Sequence, residues 1–197
     1  MHIENNKEEV PFSYYAEQFA KADPAEMAAR TGVAYDGKCF SVTLLGVTYG
    51  VEFPSAKITP DAPLPKQTFL LRYLLEGKQV SATGNYLTFR EMPWGELYIK
   101  PYTGRVLTRA AFTFGARLAA FCKAAEALGG TPVAHGDAGF AFQFLDNYEM
   151  RILVWEGDEE FPPNAQILYS DNFADGFAPE DRVVAGDLLI THIKAAM

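Results

Sequence analysis

Three short clusters in this 197-residue chain combine residue types that bind ligands or move protons. Phe89-Arg90-Glu91 sets a guanidinium beside a carboxylate. The donor fork of Arg90 can grip an acidic group while Glu91 orients it. His135-Gly136-Asp137 offers an imidazole and a carboxylate two residues apart, either as metal ligands or as a base with its orienter. Further ligands for such a site would have to come from distant residues, for instance Glu156 or Asp158. His2 and His192 are expected to be frayed or exposed. Glu156-Gly157-Asp158-Glu159-Glu160 places four carboxylates in five residues. They repel one another unless solvated or neutralised by a cation or a cationic partner. Arg90, Glu91, His135, Asp137, Glu156 and Asp158 are therefore the candidate ligand-binding residues. No metal site is assigned, and the cofactor is left open.

Each cluster also has a plainer reading. Arg90 and Glu91 are placed at the end of a strand, where neighbours point to opposite faces, so they are expected as one exposed side chain and one in a structural ion pair. His135 is expected in a solvated turn, and the 156–160 run as an exposed acidic loop. An EF-hand reading through Asp171, Asp175 and Gly176 fails, because Phe173 and Arg182 occupy positions where oxygen ligands are needed. The chain has no glycine-rich phosphate loop, no G-x-G-x-x-G, no G-x-S-x-G elbow and no H-E-x-x-H.

The elements that must position these residues follow from periodicity and punctuation. Phe12–Ala22 reads as helix, and Asp23-Pro24-Ala25-Glu26 opens a second helix that Gly32 ends. Cys39–Phe53, broken at Gly46, reads as a hairpin, and Lys57–Pro65, with its prolines, as a connector. A helix runs from Pro65 to Gly77. Asn85–Glu91 and Leu97–Tyr102 read as strands around Pro93-Trp94-Gly95. Val106–Leu128 follows the helical period and is stopped by Gly129-Gly130, which predicts a central core helix. Phe140–Phe144 and Met150–Trp155 form an antiparallel pair joined at Asp146-Asn147, and Ala165–Tyr169 adds a third strand. Pro179 opens the last helix. Strands and helices come in blocks, which predicts an α+β fold of mostly antiparallel strands packed on a long central helix with flanking helices. One globular domain over 1–197 is expected, with 1–11 as a lead segment.

Composition narrows the function classes. With 49% hydrophobic and 21% charged residues, a disordered or fibrous chain is excluded. Seventeen Lys and Arg against 25 Asp and Glu give a net charge of −8. From Asp137 to Asp187, 12 acidic residues face only Arg151 and Arg182, a local net of −10. No basic stripe exists to neutralise phosphates, so nucleic acid is not the expected partner. Cys39 and Cys122 cannot form a C-x-x-C pair and are expected as reduced, buried thiols. The longest uncharged run, Cys39–Val51, has 13 residues, too few for a membrane helix. The polar, acidic residues 1–10 do not read as a signal peptide, and the expected location is the cytoplasm.

The ordered segments Gly84…Thr88-Phe89-Arg90-Glu91-x-Pro93-x-Gly95, Ala127-Leu128-Gly129-Gly130, Gly136-Asp137-Ala138 and Leu153-x-Trp155-Glu156-Gly157-Asp158-Glu159-Glu160-Phe161-Pro162-Pro163 resemble the bacterial family called domain of unknown function 3786. The resemblance runs from about Phe12 to the C-terminus, including Pro179-Glu180-Asp181, and the acidic loop is its most specific part. Relatives of this kind come mostly from anaerobes, and some carry a cysteine-rich iron–sulphur module that this chain lacks. The resemblance implies that any cluster would belong to a partner, and it carries no activity or catalytic residue with it. The expected function is thus a ligand- or partner-binding accessory protein, serving a metallocofactor-dependent anaerobic system through a basic or cofactor-bearing protein partner. The alternative is an enzyme on a small polar or anionic substrate, with Arg90 as anchor, His135 or Glu156 as base and Asp137 as orienter. A homo-oligomer, with Trp94, Tyr98 and Trp155 at its interface, is a third expectation, although such aromatics more commonly belong to the core.

Overall fold

A computed structural model describes residues 7–197 of the chain. It is α+β, and both of its sheets are antiparallel throughout. His2 and most of the expected lead lie outside the described residues. Glu9 to Pro11 already belong to the first helix. The chain forms two compact units, one ending at Gln79 and the other running from Val80 to Met197. Composition marks no linker there, because the boundary is made by hydrogen bonds. The Gln79 N–H donates to Arg30 O in the first unit, whereas Val80 O accepts from Asn147 and Asn172 in the second.

The N-terminal unit holds α1 (Glu9–Lys21), α2 (Pro24–Thr31), α3 (Leu64–Glu76) and a meander of β1 (Ala34–Tyr35), β2 (Cys39–Leu44), β3 (Val47–Glu52) and β4 (Lys57–Thr59). The Asp23 carboxylate accepts from the Ala25 and Glu26 N–H groups, and Gly32 closes α2 in the left-handed region at φ 71°. Leu45 and Gly46 both take positive φ, the geometry a tight hairpin turn requires. Alternate residues Phe40, Val42 and Leu44 of β2 are buried, and Phe40 meets Phe19 edge-on at 5.8 Å. The expected connector 57–65 is instead strand over its first three residues, because Lys57–Thr59 can pair with Gly50–Glu52 before Pro60 removes a donor.

The C-terminal unit is a five-stranded sheet in the order β5-β9-β8-β7-β6, formed by β5 (Tyr86–Thr88), β6 (Thr131–Pro132), β7 (Ala138–Leu145), β8 (Tyr148–Trp155) and β9 (Asn164–Ser170). Along β8, Tyr148, Met150, Ile152 and Val154 are buried, while Glu149, Arg151 and Trp155 on the opposite face are half-buried. The guanidinium of Arg151 lies 3.4 Å from the centroid of the Tyr86 ring on that more open face.

Three sequence expectations change here. Asn85–Glu91 is strand only over Tyr86–Thr88, followed by a 3₁₀ turn at Phe89–Glu91, and Leu97–Tyr102 lies in a helix, α4 (Gly95–Tyr102). A Cβ at Gly95 would lie 2.0 Å from Phe89 O, so glycine is required where the chain turns back. Tyr102 then stacks on Phe89 at 4.0 Å. The expected long helix is also interrupted. After α4 come a π-helical turn (Thr103–Thr108), α5 (Arg109–Phe114), a 3₁₀ turn (Gly115–Arg117) and α6 (Leu118–Ala127). Pro101 has no N–H to continue the α ladder, and the winding widens directly after it. A short α7 (Phe173–Gly176) and the long α8 (Pro179–Ala195) complete the unit.

One buried side chain ties these pieces together. Arg182, 3% exposed, donates to Phe173 O, Phe177 O, Ala174 O and Pro93 O at 2.7–3.2 Å. Burial pushes its guanidinium below the ordinary arginine range. Cys39 and Cys122 are free and half-buried, less enclosed than expected, and burial raises both thiols.

Candidate functional site

The acidic cluster occupies one end of the five-stranded sheet, in the connection between β8 and β9. Its entry is held by the turn before β7. Gly136 takes φ 76°, and a Cβ there would lie 2.9 Å from Val154 O. That close approach lets the Asp137 N–H reach Val154 O at 3.0 Å, and the Asp137 carboxylate accept from the Glu156 N–H at 2.8 Å. Asp137 therefore extends the β7–β8 ladder by one step and fixes the direction in which the loop leaves the sheet.

The loop then orders itself. Asp158 accepts from the N–H groups of Glu160 at 2.8 Å and Phe161 at 2.7 Å, and its own N–H donates to Phe161 O at 2.9 Å. The two N–H donors hold the Asp158 carboxyl below its ordinary range, so it stays ionised. Gly157 is obligatory, since a Cβ would lie 2.7 Å from Pro163 N. Glu156, Glu159 and Glu160 make no ion pair among the described residues. Phe161 is 67% exposed. An open groove of about 460 Å³ runs past Phe161, Trp155, Glu156, Pro162, Pro163 and Asn164.

The other candidates lie elsewhere or are otherwise engaged. The Glu91 carboxylate turns back to accept from the N–H and hydroxyl of Thr88 at 2.7 and 2.8 Å, which lowers its pKa. It therefore caps its own 3₁₀ turn. Arg90 pairs through Nε with Glu96 at 3.1 Å, both side chains being exposed. His135 is exposed, and its neighbour Asp137 is bonded to the Glu156 backbone. The structure thus brings Asp137, Glu156 and Asp158 into one loop assembly. Arg90 and Glu91 lie at the end of β5, which β9 separates from β8. Among the described residues, no three His, Cys, Asp or Glu side chains gather to hold a metal ion, and no helix is long and apolar enough to cross a membrane.

Phe161 is the residue that charge-based reading passed over. Its signal was present in the sequence: an aromatic that follows three carboxylates within four positions and precedes two prolines has little chain with which to turn inward. Trp94 is likewise displayed, at 68% exposure and φ 65°, in the turn expected at Pro93-Trp94-Gly95 and not in the core where such aromatics more commonly lie.

The chain belongs to the family described as Domain of unknown function (DUF3786), whose model matches residues 23–192. No curated protein and no solved structure matches it.

Proposed function

We propose that this family member is a non-catalytic, cytoplasmic accessory protein that docks a basic or cofactor-bearing protein at the acidic end of its five-stranded sheet. The observation that carries this reading is Phe161, an apolar side chain displayed on an ordered loop among carboxylates that make no ion pair among the described residues. Binding energy at protein interfaces concentrates in a few aromatic anchors, while a rim of one charge selects and steers a partner of the other. A loop that is already ordered loses little entropy on docking. Asp137 and Asp158 support the reading because their carboxylates serve the backbone that presents Phe161. The cofactor-bearing character of the partner, and its anaerobic setting, rest on the resemblance to relatives that carry an iron–sulphur module.

The test immobilises the full chain and passes extract of its source organism over it. A basic protein should be retained at low ionic strength and released as salt rises. It should be lost with Phe161→Ser and with the double reversal Glu159→Lys/Glu160→Lys, each checked for native circular dichroism. Retention indifferent to both substitutions would overturn the proposal.

A further inference from the structure

A second groove lies on the β5 side of the sheet and owes nothing to the acidic loop. It encloses about 220 Å³ between β5 with its 3₁₀ turn and the helical path from α4 into the π-helical turn. Its polar lining consists mainly of donors. The terminal nitrogens of Arg90 donate no hydrogen bond among the described residues, and its pair with Glu96 closes through Nε at 3.1 Å. Gln166 accepts from the Ile167 N–H through Oε1 at 3.1 Å, which orients the amide and leaves Nε2 without a hydrogen bond among the described residues. Thr103 contributes a hydroxyl with no hydrogen bond among the described residues. Ile99 and Leu107 supply an apolar wall, and Leu107, four residues beyond Thr103, is placed by the π winding that follows Pro101. The nearest carboxylate in sequence, Glu91, is already satisfied by the N–H and hydroxyl of Thr88 at the groove's edge.

We propose that this groove binds a small organic monocarboxylate. The terminal N–H groups of Arg90 and the Nε2 of Gln166 hold its carboxylate, and its apolar body lies on Ile99 and Leu107. A guanidinium fork and a carboxamide N–H are complementary to a planar anion and offer nothing to a cation. The volume suits a single ring or a short branched chain and is below that of drug-sized sites. The Arg90–Glu96 pair is exposed on both sides, and such pairs are weak, so an incoming carboxylate competes with Glu96 at little cost. On this proposal Glu96 is an internal competitor, so neutralising it separates a binding site from a merely structural ion pair.

The experiment titrates phenylacetate, and its neutral isostere phenylacetamide, into the full isotope-labelled chain, reading the backbone and side-chain amide resonances. Phenylacetate should shift the Gln166 side-chain amide and the 88–90 and 103–107 backbone saturably, and phenylacetamide should bind at least ~10-fold more weakly. Arg90→Gln should weaken phenylacetate by a similar factor, and Glu96→Gln should tighten it. Both positions are exposed, so the fold is retained. The proposal is overturned if millimolar phenylacetate causes no saturable shift, if the amide binds equally well, or if Glu96→Gln weakens binding as Arg90→Gln does. None of these outcomes bears on Phe161.

Discussion

Arg182 and Asp158 perform the same kind of work in opposite surroundings. Each uses one charged side chain to collect backbone groups: Arg182 gathers four carbonyls, and Asp158 two N–H groups. The carbonyls come from the Pro93 turn and from both ends of α7, and the guanidinium is shut away from water. The N–H groups lie two and three residues from Asp158 on an exposed loop. In the first case nothing can replace the missing partner, whereas in the second water can. A buried charge of this kind holds the fold, and an exposed one shapes a surface while remaining available to a partner.

Arg182→Met tests the comparison hardest. It should lower the unfolding free energy by about 3 kcal/mol or more, because buried carbonyls lose their donors. Arg182→Lys should recover only part, since an ammonium cannot span the same fork. A loss under about 1 kcal/mol in a urea melt would break the contrast. Asp137→Ala, which frees the Glu156 N–H at the loop entry, should cost about 1 kcal/mol, and Asp137→Asn less.

Acid should separate the two regions further. Asp158, Glu91 and Asp171 are all held below their ordinary values by hydrogen bonds. The native state therefore binds their protons more weakly than the unfolded state does. Their stabilisation is present above the unfolded values, near about pH 4, and is lost as pH falls through the lower folded values. The Arg182→Met deficit should largely persist across that window, losing only what its carboxylate neighbours Asp175, Asp181 and Glu180 add, as a pH series of melts would show. Phe161→Ser should be the smallest effect, within about 0.5 kcal/mol, because an exposed anchor contributes to binding and not to folding.

Local signals were legible in the sequence. Asp23-Pro24 with Gly32, the turn at Asp146-Asn147 and the Pro179 start are set by residues within a few positions, and the structure has them. Leu97–Tyr102 was misread because its aromatic and β-branched residues suit a strand. Its helix depends on distant partners, namely Phe89 O against Gly95 and Arg182 on Pro93 O. The break after Phe114 is similar, since a Cβ at Gly115 would lie 2.4 Å from the Pro163 side chain, 48 positions further along the numbering. Among the site residues, the carboxylates were visible as charge. Their use as backbone acceptors was not, because an Asp that caps a loop and an Asp that binds a ligand look alike until the N–H groups are placed.

The two tryptophans have an optical consequence. Trp94 stands out in solvent, whereas Trp155 is half-buried and lines the acidic groove beside Glu156. Iodide, an anionic quencher, is repelled from carboxylates and should darken Trp94 first, leaving the emission of Trp155 as a native lamp at the loop. Its colour and brightness would report occupancy of that groove without any label.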